Sequence, residues 1–173
     1  CSTMAESLIM GSCYVDGGFA RYAACATGSH FSSAEKQFRF PLELGTQRPP
    51  TSQWTVTGTG CTILGNTSTS NIYIENATIG KVVDWNVTDA NNMGAAMAPA
   101  AMSTLKAHLD DTGRTPEDYD LILTGDLGKL GSEILMDLME YNGYKIGNNY
   151  NDCGQMIFSN TQKTFMGGSG CGC

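Results

Sequence analysis

Cys1 stands just before a predicted helix start and is the first residue whose type and position indicate chemistry. Thr3 and Glu6 form a capping box, in which a hydroxyl and a carboxylate satisfy free backbone amides at the first turn. The positive end of a helix dipole stabilises a thiolate placed there, which favours a nucleophilic cysteine. The alternative is a small buried residue at a crowded turn, because a nucleophilic thiol also needs a base and a group that orients that base.

Two histidines are available as bases, His30 and His108. His30 follows a predicted strand over residues 21–27, at the carboxyl end where open α/β sheets bind ligands, so it is the better candidate. A structural hydrogen-bonding role fits its position equally well. His108 falls on a predicted helix beside Lys106 and Asp110, which places it on a solvated helix face.

Asp152 and Cys153 lie in a polar loop, directly after the amide-rich residues 148–151. A thiol, a carboxylate and several amides in one loop can orient a polar ligand, and the structural alternative is an Asx turn. The glycine-rich residues 167–173 allow a backbone to approach a ligand closely, but they match neither a dinucleotide fingerprint nor a P-loop.

No metal site is predicted. Cys171 and Cys173 are too close together for the usual zinc spacing, and Cys153 has no histidine near it in the sequence to complete four ligands. Arg39 and Arg48 flank a long loop, and guanidinium groups pair with carboxylates, so a loop folded over a pocket would suit an acidic small ligand. Two solvated arginines are the alternative.

The overall composition argues against nucleic acid as a partner. Ten Lys and Arg against seventeen Asp and Glu give a net charge of -7, whereas binding to a phosphate backbone needs clustered positive charge. Seven cysteines at irregular spacing favour reduced thiols in a cytosol over a disulfide framework. Neither a membrane-spanning run nor a secretory signal pattern is present, so a soluble protein is expected.

The periodicity of apolar residues predicts an α/β fold in two halves, residues 1–89 and 90–173, with a seam near Asp89. Two strands, 54–64 and 71–85, follow each other and are expected to pair in antiparallel orientation. The other predicted elements are a helix from Thr3 to Gly17, a strand buried on both faces at 21–27, a helix through Met97 and Leu109 that ends at Gly113, a helical turn at 115–118, a buried strand at 121–124 and a helix at 132–141.

Several longer stretches make the chain similar to a known family. GGFARYAACATGSHFSSAEKQFRFP, QRPPTSQWTVTGTG, DANNMGAAMAPAA, DYDLILTGDLGKLG, NDCG and GGSGCGC, in this order after Cys1, resemble the stage V sporulation protein AD family of spore-forming Firmicutes. The resemblance covers nearly the whole chain. It implies a thiolase-like fold of layered αβαβα type with two similar halves, incomplete in this segment, and pairing as a homodimer.

The same resemblance implies a role in spores. Members of the family are associated with uptake of dipicolinic acid, usually with calcium, into the developing spore, beside membrane partners from the same operon. The expected place is therefore the cytoplasm of the mother cell or spore, peripheral to the spore inner membrane through those uptake-channel partners. No other cofactor is expected.

The resemblance also places Cys1 at the position of the thiolase nucleophile. Thiolase-type enzymes need two further polar groups, commonly histidines, in loops that correspond here to 125–128 and 167–173. Neither loop contains histidine, and Asp126 supplies neither an imidazole base nor an oxyanion donor. The acyl-transfer machinery therefore looks dismantled, and Cys1 is interpreted as a vestigial nucleophile.

Three hypotheses follow. The first is a non-catalytic protein that binds dipicolinic acid or its calcium chelate in the former catalytic pocket, lined by Cys1, His30, Asp126, Asp152 and Cys153. The second is a residual acyltransferase that uses Cys1 with His30 as base. The third is a scaffold that docks the membrane channel and whose pocket is vestigial.

Overall fold

The computed structural model describes residues 3–30, 49–53, 56–67, 70–159, 161–162 and 167. The chain is a mixed α/β protein, which confirms the predicted fold class. Its elements are α1 (Thr3–Asp16), β1 (Tyr22–Ser29), β2 (Gly58–Gly65), α2 (Met93–Thr112), a 3-10 turn (Pro116–Asp118), β3 (Ile122–Thr124), α3 (Gly128–Tyr141), β4 (Tyr150–Asp152) and α4 (Cys153–Met156).

In the first part of the chain, α1 packs on an antiparallel pair of strands. β1 and β2 run in register from Tyr22 opposite Gly65 to Ser29 opposite Gly58. The buried Cys25 faces the helix, where its thiol donates to the Ser7 carbonyl oxygen over 3.2 Å. Gly11 lies so close to Cys25 Sγ that a Cβ there would collide with the sulfur. Glycine therefore lets the helix approach the sheet.

Two strand predictions for this part were wrong. β1 is not buried on both faces, because alternate residues from Tyr22 to Gly28 are exposed on the side away from α1. Residues 71–85 form no strand and do not pair with β2. β2 pairs with β1 instead, and the segment around 71–85 runs along α2 with Ile72 and Val82 exposed at 88% and 97%.

The second part contains the main hydrophobic core. Its buried members come from both long helices, β3 and the connecting loops: Ala98, Leu109, Ile122, Leu127, Leu135, Met139 and Ile146. Helices α2 and α3 meet at Gly94 and Gly131, where a Cβ on Gly131 would lie 2.9 Å from Gly94 Cα. Two glycines therefore set the close packing of these helices.

The ends of α2 follow from local sequence. Asn92 caps its start by accepting a hydrogen bond from Ala95 N over 3.2 Å, and Gly113 ends it in the left-handed conformation with φ 65°. Pro99, expected only in a first turn, lies beyond it because the helix already begins at Met93. Its side chain is fully buried, so packing offsets the missing backbone donor.

β3 and β4 are parallel, and their register places Ile122 opposite Tyr150 and Thr124 opposite Asp152. Loop 125–128 and helix α4 therefore begin side by side at one sheet edge, as expected for a ligand site in an α/β protein. Across the described ranges, no helix is both long enough and apolar enough to cross a membrane. The division at residue 89 and the five-layer arrangement stay predictions.

Candidate functional site

Two buried carboxylates lie at the carboxyl ends of the parallel strands. Asp126 is 1% exposed in the loop after β3, and Asp152 is 0% exposed at the end of β4. The strand register explains why two residues far apart in sequence approach each other. Buried carboxylates need hydrogen-bond donors, so their partners indicate what each can do.

Asp152 is fully engaged by the protein. Its Oδ1 accepts from Thr124 Oγ1 over 2.7 Å and from the Leu127 amide over 2.8 Å. Its Oδ2 accepts from the amides of Gly128 and Gln155 over 3.0 and 3.1 Å. These four donors match the roughly four acceptor positions of a carboxylate. Asp152 therefore caps the starts of both α3 and α4 and holds the two helix starts together.

A second set of side chains reinforces this connection. Gln155 Nε2 donates to the Gly128 carbonyl over 3.2 Å and to Ser132 Oγ over 2.7 Å. The Tyr150 hydroxyl lies 2.8 Å from Thr124 Oγ1 and donates to Ser132 Oγ over 3.0 Å. Burial, the largest cause, raises the pKa of Tyr150 above its usual value, so this hydroxyl stays protonated near neutral pH.

Asp126 contacts the first part of the chain. Its Oδ2 accepts a hydrogen bond from Gln53 Nε2 over 3.3 Å, and Gln53 is 3% exposed. On its other side Gly154 lies against Asp126 so closely that a Cβ there would overlap Oδ1. The carboxylate is thus fixed between an amide and a glycine backbone.

Segment 49–53 is where several polar loops meet. Ser52 Oγ donates to Asn91 Oδ1 over 3.1 Å, which joins the segment to the turn before α2. Gly167, at the start of the glycine-rich region, packs against the backbone of Thr51 and Ser52 with no space for a Cβ. The loops of Asp126, Asn91 and Gly167 therefore converge on Ser52 and Gln53.

Cys153 opens α4 next to this cluster and is half-buried. Burial is the largest cause that raises the pKa of its thiol, and the neighbouring Asp152 and Asp126 charges raise this pKa further. A raised pKa leaves the thiol protonated at neutral pH, so Cys153 is a neutral contact group and a poor nucleophile.

Of the other residues considered for the site, the structure describes His30. His30 is exposed immediately after β1, at the sheet end where it was expected. Cys1, Arg39, Arg48, Cys171 and Cys173 lie outside the described residues. In the described part of the chain, no group of three or more His, Cys, Asp or Glu side chains could hold a metal ion.

His108 is not on a solvated face as predicted. It is half-buried, with Nδ1 lying 2.8 Å from Thr78 Oγ1 and Nε2 lying 2.7 Å from the Tyr119 hydroxyl. Both ring nitrogens are engaged, so His108 fastens the extended segment to α2. Lys106 and Asp110, the charged neighbours on which that prediction rested, form an exposed ion pair at 2.6 Å on the same helix.

Sequence reasoning missed Gln53, Thr124, Ser132 and Gln155 as members of the site. Gln53 has no motif around it, and only the fold brings it to Asp126. Thr124 was assigned to a strand, and the facing Asp152 that makes it a donor could not be inferred without the register of β3 and β4. Ser132 lies in α3 and Gln155 in α4, and neither carried a signal in the sequence beyond its polarity.

Comparison with known proteins relates the entire chain to one family. The model of the stage V sporulation protein AD family matches residues 1–173. Stage V sporulation protein AD of Bacillus subtilis (strain 168) is 50% identical over 173 residues, which are 100% of this chain and 51% of that protein. The chain therefore spans about half the length of the curated relative it matches.

Proposed function

Since the chain belongs to the stage V sporulation protein AD family, we propose that it acts in spore formation as a non-catalytic small-molecule binding protein. The proposed ligand is dipicolinic acid or its calcium chelate, taken up into the developing spore. The observation that carries this proposal is Asp126, a buried carboxylate in the loop where an acyl-transfer enzyme would need a base or an oxyanion donor.

The chemistry of the described residues supports binding over acyl transfer. Asp126 Oδ2 accepts a hydrogen bond from Gln53, so this oxygen serves as an acceptor and not as a donor to a developing oxyanion. Cys153 is protonated because its pKa is raised. His108 has both ring nitrogens engaged, which leaves it no free atom for proton transfer in this arrangement.

The charge of the site favours the chelate over the free dianion. Asp126 repels a dicarboxylate dianion, whereas calcium takes carboxylate and carbonyl oxygens as ligands and would offset that repulsion. The metal end of the chelate is proposed to face the Asp126 carboxylate, which lies in the loop that corresponds, by the family resemblance, to a catalytic loop of thiolase-type enzymes.

The wider setting is part of the same proposal. We place the protein in the cytoplasm of the mother cell or spore, held at the spore inner membrane by uptake-channel proteins of the same operon, and paired as a homodimer. The family membership supports the spore setting, and the net charge of -7 argues against a nucleic-acid partner.

Calorimetry tests the ligand. The purified chain, checked for folding by circular dichroism, is titrated with dipicolinate in the presence and absence of calcium. Isophthalate, which has the same two carboxylates but no ring nitrogen to complete the chelate, is the control ligand. Saturable heat with calcium dipicolinate and none with isophthalate is expected, and no saturable binding of dipicolinate in either condition would overturn the proposal.

Acyl transfer at Cys1 with His30 as base is the second candidate, and the cysteine before the capping box is the feature that favours it. Incubation with acyl-CoA analogues followed by mass spectrometry separates the two. A stable acyl adduct on Cys1 would favour the enzyme, whereas the binding protein stays unmodified.

A further inference from the structure

Residues 152–154 touch the Asp126 loop in two different ways. Asp152 accepts hydrogen bonds from the loop, whereas Gly154, which has no side chain, leaves the space in which the Asp126 carboxylate lies. Both residues lie in one tripeptide with Cys153, so a single stretch of chain determines where the Asp126 carboxylate lies.

Asp152 holds the loop on both sides of Asp126. It accepts from the Thr124 hydroxyl two residues before, and from the Leu127 and Gly128 amides one and two residues after. These three hydrogen bonds fix the backbone that carries Asp126. Because Asp152 is wholly buried, solvent does not compete for them.

Gly154 is required for space and not for backbone conformation. Its φ is not among the positive values, which in the described glycines occur at 18, 113, 128 and 143. A Cβ at position 154 would overlap Asp126 Oδ1 and would lie 3.1 Å from Asp126 Cα and 3.0 Å from Asp152 Oδ2. Any side chain there displaces the Asp126 carboxylate.

Gln53 closes the other side of Asp126 at 3.3 Å, so a displaced carboxylate loses this donor as well. We propose that Asp152 and Gly154 are positioning residues of the ligand site, which fix the Asp126 carboxylate against Gln53 and do not themselves contact the ligand. The identity of the ligand rests on the proposed function, whereas the positioning of Asp126 does not.

A double-mutant cycle tests this proposal, with Gly154→Ala, Asp126→Ala and the pair of changes together. Affinity for calcium dipicolinate and the urea midpoint of unfolding are measured for each variant. Gly147→Ala is the matched control, because the nearest atom to a Cβ at position 147 is Asn149 Oδ1 at 4.0 Å.

Gly154→Ala is expected to weaken binding by about tenfold, the scale of one lost hydrogen bond to a charged group. In the Asp126→Ala background the same change is expected to cost less affinity than in the wild-type background, because the overlapping Asp126 Oδ1 is absent and only the contacts of 3.0–3.1 Å to Asp152 Oδ2 and the Cα at position 126 remain. Gly147→Ala should leave affinity unchanged. Equal losses of affinity in both backgrounds would overturn the proposal.

The unfolding cycle answers the question even without ligand binding. If the wild-type chain binds no dipicolinate, the proposed function fails. The positioning proposal still predicts that the double variant unfolds at a higher urea concentration than the sum of the two single shifts in urea midpoint would give. Additive shifts of the urea midpoint would show that Gly154 does not act through Asp126. Asp152→Asn adds a further readout, since faster exchange of the Leu127 and Gly128 amides is expected and unchanged exchange would count against positioning.

Discussion

Gln53 Nε2 donates to Asp126 Oδ2 over 3.3 Å, and both residues are buried although 73 positions separate them. This hydrogen bond joins segment 49–53 to the loop after β3. It makes the carboxylate part of a site to which distant parts of the chain contribute, and several consequences can be measured.

Gln53→Leu should destabilise the fold by about 1–3 kcal/mol, because the change removes a donor from a buried carboxylate. Urea unfolding followed by circular dichroism measures the loss. Gln162→Leu is the control, since Gln162 is exposed and its side chain accepts a local hydrogen bond from Ser159 N. Equal stability of the two variants would mean that Gln53 does not support Asp126.

Cys153 should resist alkylation near neutral pH. Its pKa is raised above the ordinary 9.0, first by burial and then by Asp152 and Asp126, so little thiolate is present. Iodoacetamide labelling followed by mass spectrometry at several pH values measures the rate, with the exposed Cys13 and Cys61 as internal controls. A Cys153 rate equal to that of Cys61 at pH 7 would contradict the account.

The raised pKa values of Cys153 and Tyr150 also predict how stability depends on pH. In each case the folded state binds the proton more tightly than the unfolded state does. Each group therefore stabilises the folded state fully at a pH below its ordinary pKa, which is 9.0 for Cys153 and 10.0 for Tyr150. This stabilisation is lost as the pH rises through the higher pKa of the folded state. As the pH rises from 8 to 11, the urea midpoint of unfolding should fall less in Tyr150→Phe than in the wild-type chain. An equal fall in the two proteins would show that ionisation of Tyr150 is not a cause of the pH dependence.

Gly131→Ala should destabilise the protein by about 1–3 kcal/mol, although alanine favours helices, because the added methyl overpacks the crossing with Gly94. Gly60→Ala is the control, since nothing lies within 4 Å of a Cβ at position 60. Thermal unfolding measures both variants. A Gly131→Ala variant more stable than the wild type would show that the helices can separate at no cost.

His108→Ala should release the extended segment from α2. The change removes the contacts to Thr78 and Tyr119, so faster hydrogen exchange and earlier proteolysis are expected across residues 71–88. Lys106→Ala on the same helix is the control, because its ion pair with Asp110 is exposed. Unchanged exchange across the segment would mean that other contacts hold it.

Local sequence predicted those helices and turns whose ends carry capping or terminating residues. Thr3 marks the start of α1, Gly113 ends α2, and the helical turn after Thr115 forms, with Thr115 N donating to Asp118 over 2.7 Å. β4 was not predicted, because a three-residue strand has too little pattern to separate it from a polar loop.

Long-range pairing accounts for most of the errors. Residues 71–85 have the β-branched composition of a strand. Such a composition indicates side chains that pack well on a pleated sheet, but it does not determine whether a neighbouring strand is present to pair with them. Asp152 was expected at the site from its polar loop, and its contact with a ligand stays a prediction, but the donors that the parallel register brings to its oxygens could not be found from sequence. Gln53 could not be found from sequence, since only the fold gives it Asp126 as a partner.

The central proposal is that calcium dipicolinate binds beside Asp126, and a crystal structure of the protein soaked with that ligand tests it most directly. We expect difference density for a planar pyridine dicarboxylate with its calcium within coordination distance of the Asp126 carboxylate, about 2.3–2.6 Å. The density should be absent from crystals of Asp126→Asn and present in those of Asp137→Asn, a matched change at an exposed acid on α3. Density at another place, or equal density in Asp126→Asn crystals, would contradict the proposal.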